Sequence, residues 1–312
     1  MASSHSYGED RELRVAILEG IRVGEVPLKL AYCGELGEAH LRLARSEQYL
    51  TTSTSLKDEV ALVVAGRLGN PVTLIDVGVG SGTHAAALIR QLNLLELNVE
   101  RYIGLDVSAL LLGAAKRHIA DAHRGLSCSM HVWDFEMSAT DAVNREIEAA
   151  AKGGWSPAAQ LGAMLGLTLG NVSNPVAVLR NIRQSLGTQS LLLLGLASPL
   201  ASIEQMMSPY LTKTFTSAAL APYKWLGVDV SALNVDVEYR SGSVVAAVRA
   251  LDRVTIPQSD IRLQRGMRII VFRSRRFRPE EVEHIAAESG WNVELWRVDS
   301  AGHMTVLLRS AG

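Results

Sequence analysis

The sequence predicts an α/β protein: a mostly parallel sheet with helices on both faces, interrupted by a smaller α+β domain. Three observations carry that expectation. The stretch VTLIDVGVGSG, residues 72–82, is an apolar, β-branched run that reaches Asp76, breaks into Gly78, Gly80 and Gly82, and passes into the helical THAAALIRQL. From Pro71 to Ala197, apolar runs alternate with helical segments of crossover length, which implies right-handed βαβ units. After Ala197 the pattern changes to that of antiparallel strands, the mark of a second domain.

Taken in order, MASSHSYGED reads as a disordered tail over residues 1–10, without the charge and apolar run of a signal peptide. Residues 11–57 form a helical block, LRVAILEGI and GEAHLRLARSEQYL, assigned to the substrate domain, with TTSTS capping the helix LKDEVALVVAGRL. Residues 58–198 hold the core, its strands ending at Asp76, Asp106, Asp134 and Asn171 before SLLLLGLAS. Residues 199–277 are the inserted domain: an irregular aromatic stretch, then NVDVEYRSGSVVAAVRALDRVTI as a hairpin about RSGS, then the strand GMRIIVFRSRRF. Residues 278–312 return to the core through the helix PEEVEHIAAESG and the closing strands WNVELWRVD and HMTVLLRSA.

Ligands of parallel sheets bind beyond the carboxyl ends of the strands, so Gly78, Asp106, Asp134 and Asn171 are expected on one rim. G-x-G-x-G between a strand and a helix fits either a dinucleotide or S-adenosylmethionine (SAM). SAM is favoured because Asp76 suits its methionine ammonium and Asp106 can take both ribose hydroxyls. Asp134 with Phe135 would meet the adenine, by its amine and its face; a turn-capping Asp is the alternative. Asn171 offers a donor and acceptors but no base, so it would orient an amine, or else stabilise a turn. The set is the signature of a class I, Rossmann-like SAM-dependent methyltransferase.

Composition narrows the partners. The 31 Lys and Arg against 32 Asp and Glu leave a formal charge of −1, so no long-range field draws nucleic acid or an acidic membrane. No apolar run approaches the ~18 residues of a membrane span. Two cysteines, Cys33 and Cys128, point to a reducing, cytoplasmic setting, and the eight histidines show no ligand spacing, so no metal is expected. His84 and His303 read as structural, and Arg273, Arg275, Arg276 and Arg278 as a solvated face.

LGLTLGN resembles the LGSTIGN signature of the histidine Nα-methyltransferases of ergothioneine biosynthesis. AYCGELGEAHLRLARSEQYLTTST resembles that family's WFYDARGSELF…PEYYPTRTE, aligning Tyr32 and Tyr49 with tyrosines there, and RIIVFRSRRF resembles its I-x-T-E-x-S-x-K-F. The resemblance spans nearly the whole chain. It implies that Gly78 and Asp106 hold SAM, with Asp134 and Phe135 at the adenine; Asp76, Gly80 and Gly82 are expected to join them from the glycine turn itself. Asn171, Tyr32, Tyr49 and Tyr210 would hold the amino-acid head group, Asn171 and Tyr32 acting in catalysis, with Phe272 and Ser274 at the side chain. The departures carry as much weight. Where the family grips imidazole with a Glu, this chain has Phe272, while Ser274 persists. A phenyl ring removes the charge-assisted bond that selects histidine and favours an apolar, aromatic or stacking side chain.

The expectation is therefore a SAM-dependent N-methyltransferase of a free amino acid other than histidine, moving the methyl in line to the α-amino nitrogen. Side-chain nitrogen methylation, such as that of an arginine guanidinium in a secondary-metabolite pathway, is the nearest alternative. From other classes come a SAM-binding regulatory protein without catalysis and a dinucleotide-dependent oxidoreductase. Which amino acid, how many methyls and which oligomeric state are not legible.

Overall fold

The computed structural model describes residues 5–44, 59, 61–63, 68–154, 159–187 and 190–311. In chain order, helices α1 (His5–Val23) and α2 (Gly37–Ala44) precede β1 (Val72–Val77), α3 (Thr83–Leu94) and β2 (Val99–Asp106). There follow α4 (Ala109–Ala122), β3 (Ser127–Val132), α5 (Ala142–Lys152), β4 (Ala159–Met164), α6 (Pro175–Leu186) and β5 (Leu191–Ala197). Next are α7 (Ile203–Met207), α8 (Lys213–Trp225), β6 (Leu233–Arg240), β7 (Ser243–Ala250), β8 (Val254–Thr255) and β9 (Arg262–Leu263). The last are β10 (Arg268–Arg275), α9 (Pro279–Glu288), β11 (Trp291–Val298) and β12 (His303–Ser310). The chain divides into two compact units, Met1–Leu50 with Ser202–Arg275, and Thr51–Ala201 with Arg276–Gly312.

The larger unit is built on one seven-stranded sheet in the order β11-β12-β5-β4-β1-β2-β3. β1 to β5 run parallel, and β12 lies antiparallel to both β5 and β11. All of β1 is buried because both faces of the sheet are covered, which is why its sequence is a continuous apolar run rather than an alternation. Ile75 and Val77 join Ile182 of α6 and Ile285 of α9 on one face. Leu74 joins Leu88 and Leu92 of α3 and Ile119 of α4 on the other. Helix starts follow local chemistry: the Ser108 hydroxyl accepts the Leu111 N–H, and Asn174 accepts the Ala177 N–H ahead of Pro175.

The smaller unit holds an antiparallel sheet, β10-β7-β6, packed on α1 and α8 through Ile17, Ile21, Phe215, Tyr223, Val248 and Ile269. The β6–β7 hairpin turns at Ser241 and Gly242, whose φ values are 49° and 73°, as the RSGS stretch predicts. Its second arm is shorter than the sequence pattern implies. β7 stops at Ala250, where its partner β6 begins at Leu233, and Val254 pairs instead with Leu263 of β9.

Two further differences from the sequence reading have plain causes. α1 begins at His5, inside the stretch read as a tail; its buried stripe Leu13, Ile17 and Ile21 anchors a helix that runs back past Asp10. The late arginines are a solvated face only in part: Arg278 is exposed. Arg276 is only 5% exposed, and Arg273 pairs with Glu25 at 3.3 Å.

Among the described residues no helix is long and apolar enough to cross a membrane, and no group of three or more His, Cys, Asp or Glu could hold a metal ion.

Candidate active site

The rim formed by the carboxyl ends of β1, β2, β3 and β4 gathers the larger unit's share of the expected residues. Gly78, Gly80 and Gly82 all have left-handed backbone, with φ of 75°, 53° and 77°. Each is glycine for a further reason. A Cβ on Gly78 would stand 3.3 Å from Thr168 Cγ2 and 3.9 Å from Phe135 Cε1, so three strand ends converge on this residue. A Cβ on Gly82 would press on the backbone of Ala115 at 3.0 Å. A Cβ on Gly80 would meet nothing within 4 Å: this glycine faces open space, a cradle for a ligand's close approach.

A pair of variants separates these roles. Gly82→Ala is expected to lower stability by about 1–3 kcal/mol through strain against Ala115. Gly80→Ala is expected to cost less in stability but to weaken SAM binding at least tenfold, since its methyl fills the cradle. Thermal melting and SAM titration of the two proteins read the contrast; equal effects on SAM affinity would remove Gly80 from the cradle.

The two buried acids lie on neighbouring strands, Asp106 two residues beyond Gly104, the β2 partner of Asp76. Asp76 accepts a 2.7 Å hydrogen bond from the Tyr102 hydroxyl. Asp106 accepts the Ser108 N–H at 2.9 Å and the Gly80 N–H at 3.5 Å, which ties the end of β2 to the glycine turn. Burial pushes Asp76 up to about 7, helped by the charge of Asp106 and opposed by the Tyr102 bond. Burial also pushes Asp106 up to about 6, opposed by backbone N–H donors. A carboxyl raised in the fold stabilises it below the ordinary carboxylate pKa, and that stabilisation is lost as pH rises through the folded values. The free protein should therefore lose stability between pH 4 and pH 7. A ligand that donates to the ionised carboxylates binds better as they ionise, so the rise in melting temperature with SAM should grow from pH 5 to pH 8. Scanning fluorimetry across that range checks it; a shift constant with pH would mean the acids do not face the ligand.

After β4 the chain turns through Gly166 and Leu167, both left-handed, with φ of 73° and 67°. A non-glycine residue in this region stores strain of the kind held at functional sites. Thr168 closes the turn by donating its hydroxyl to the Leu165 carbonyl at 3.1 Å. Asn171 ends the following 3-10 turn, and its Oδ1 is buried without a hydrogen-bond partner among the described residues. An orphaned buried acceptor is costly and calls for a donor from outside the chain. Thr168 was not singled out by sequence, although it sits inside LGLTLGN; its nearness to Gly78 is a tertiary fact.

The third strand end is held from two sides. Asp134 accepts the Glu136 N–H at 3.0 Å, the local turn bond of a short acidic side chain, which leaves its second oxygen's role to other groups. The Phe135 carbonyl accepts from Asn181 at 2.9 Å, and its ring meets Trp133 edge-on at 5.9 Å. Glu136 in turn accepts from the Ser173 hydroxyl at 3.2 Å, linking the β3 end to the β4 turn. With a carboxylate at Asp106, an apolar ring at Phe135 and open space at Gly80, the rim has groups of the kind SAM requires.

In the smaller unit the structure brings together Tyr210, Phe215 and Phe272, whose ring centroids lie 5.0–5.2 Å apart. A register shift between Ile270 and Phe272 in β10 re-aims the strand there; Ile269 and Val271 enter the core while Phe272 stays half-buried. Phe215 is a member of this group that sequence reading missed. The Tyr32 ring meets the His40 ring at 4.2 Å, tilted by 55°, and burial holds the His40 imidazole down at about 4. Ser274 is 1% exposed. Tyr49 lies outside the described residues.

The sequence profile of the family described as "Histidine-specific methyltransferase, SAM-dependent" matches residues 43–311. No curated protein matches the sequence. Among solved structures, TnmH is similar with a TM-score of 0.51 at 16% identity, covering 97% of this chain and 69% of that one. An S-adenosylmethionine-dependent methyltransferase from Clostridium acetobutylicum ATCC 824 has a TM-score of 0.48 at 10% identity, covering 89% of this chain and 98% of that one. SAM-bound CalS10, an amino pentose methyltransferase from Micromonospora echinaspora involved in calicheamicin biosynthesis, has a TM-score of 0.42 at 14% identity, covering 89% of this chain and 98% of that one.

Proposed function

Since this chain belongs to the family of histidine-specific, SAM-dependent methyltransferases, we propose that it methylates the α-amino nitrogen of a free amino acid other than histidine. The class is a SAM-dependent methyltransferase on a class I, Rossmann-like fold, with SAM as its cofactor. When bound, SAM supplies a methyl group on a sulfonium sulfur, ready for transfer to a nucleophile. Asp106 would accept the ribose hydroxyls, Asp76 would face the methionine ammonium, and Asp134 with Phe135 would take the adenine. Asn171 would bond the substrate's amine through its orphaned Oδ1, and Tyr32, Tyr49 and Tyr210 would bind the rest of the head group. Holding nitrogen, methyl and sulfur in line accounts for most of the expected catalysis.

The observation that carries the choice of substrate is the trio Tyr210, Phe215 and Phe272. Three clustered rings, with Phe272 at the position where the resemblance expects a Glu, favour an apolar or aromatic side chain. A guanidinium stacked on Phe272 is the second reading, favoured by the same rings as a cation–π surface. Cys33 and Cys128 form no disulfide, which accords with a cytoplasmic enzyme, and a modified amino acid of secondary metabolism is a fitting product. A SAM-binding protein without catalysis would have no use for the orphaned Asn171 acceptor beside an intact cofactor rim.

The test is incubation with SAM and each of the twenty amino acids, read by mass. N-Methyl product from one apolar or aromatic amino acid supports the reading, and product from arginine the second one. Product from histidine alone would sink the role given to Phe272.

A further inference from the structure

The leucine run of β5 is broken by Gly195, and the cofactor rim does not explain why. A Cβ there would stand 3.4 Å from His303 Nε2 and 3.5 Å from the Gly166 amide nitrogen. Glycine inside a buried strand marks a close approach, and here it makes room for the imidazole of the first residue of β12. On its other side, His303 Nδ1 faces the Glu59 carboxylate at 3.8 Å, with side chains 11% and 3% exposed. His303 pairs with Ala197, so the imidazole lies at the carboxyl end of β5, beside the turn that leads to Thr168 and Asn171. Two ionisable groups that face His303 are Glu59, from the helical residues ahead of β1, and His84, from the first turn of α3. The latter's pKa is lowered by burial and then by His303.

A buried carboxylate at ion-pair distance from an imidazole can offset the positive charge that the ring gains with a proton. The mechanism above lacks such a group: an amino acid's amine is protonated near neutral pH, and Asn171 cannot take a proton. We propose that His303, backed by Glu59, is the proton acceptor of this enzyme, taking the proton that the substrate's ammonium group must lose before it can attack. The N–H bond breaks, its electron pair stays on nitrogen as the attacking lone pair, and the proton and its positive charge pass to the imidazole. This rests on the reading that a nitrogen is methylated.

The test compares the wild type with His303→Asn and Glu59→Gln, using SAM and an equimolar mixture of the twenty amino acids from pH 6 to 9. Methylated product is read by mass, and SAM binding by calorimetry alongside. Both variants should bind SAM within about threefold of wild type. His303→Asn should be slower by about a hundredfold at pH 7, with the deficit shrinking about tenfold per pH unit as solvent deprotonates the amine. Glu59→Gln should move the acid limb of the profile to lower pH; being nearly isosteric, it also serves should the first variant not fold. An unchanged rate, a deficit equal at every pH, or SAM affinity lost together with rate overturns the proposal and leaves the pair structural. A wild-type product methylated on oxygen or carbon overturns the nitrogen reading itself, and the wild type alone reveals that outcome.

Discussion

Asp106→Ala is expected to weaken SAM binding by at least a hundredfold while leaving the fold intact. A carboxylate that accepts both ribose hydroxyls makes two charge-assisted hydrogen bonds, each contributing about 1.5–3 kcal/mol. Their loss corresponds to roughly two to four orders of magnitude in affinity. The fold should tolerate the change, because burial already raises the Asp106 pKa and the ionised group is a burden near neutral pH. The cost left behind is local: the Ser108 and Gly80 N–H groups lose their acceptor. Asp106→Asn, which keeps one acceptor oxygen, should fall between the two proteins. Calorimetric titration with SAM decides, and an affinity near wild type would sink the ribose assignment.

The second large effect is on turnover. Asn171→Ala should lower the rate of methyl transfer by about a hundredfold, with SAM affinity changed no more than a few-fold. Its Oδ1 has no partner among the described residues, so truncation breaks no hydrogen bond seen through that atom and should leave the melting temperature level or slightly raised. A variant that melts lower and turns over normally would assign Asn171 to the turn rather than to the substrate. The split between kcat and KM adds detail: a fall in kcat alone means that the contact is made in the transition state.

Much of this site was legible because strand ends announce themselves. The run VTLIDV, the left-handed glycines and the aspartates Asp76 and Asp106 are local signals, and a parallel sheet then brings its carboxyl ends to one rim. What stayed hidden depends on contacts distant in sequence. Thr168 belongs to the rim only because the β4 turn packs against Gly78. Phe215 joins Phe272 from a helix far upstream, and nothing in KTFTSAAL marks it. Arg276 reads as exposed by composition, since burial of a single arginine follows from its surroundings and not from its neighbours in the chain. The role of Gly195 was equally silent, because a glycine in a strand says that something approaches but not what.

The chain path has a consequence for how this protein can be made and altered. The smaller unit is assembled from two separated pieces, residues 1–50 and 202–275, and β12 enters the sheet between β5 and β11 although it follows every other strand in the chain. During synthesis, the first piece must wait for the second, and β5 must keep an open edge until β12 emerges. Both are long-range closures of the kind that slow folding and expose sticky strand edges. A library that varies residues 202–275 to change specificity must therefore keep α1 and the Glu25–Ile270 pairing compatible with each new insert. A fragment ending after β11 would leave β5 as a leucine-rich edge, and aggregation of that fragment is the laboratory sign to look for.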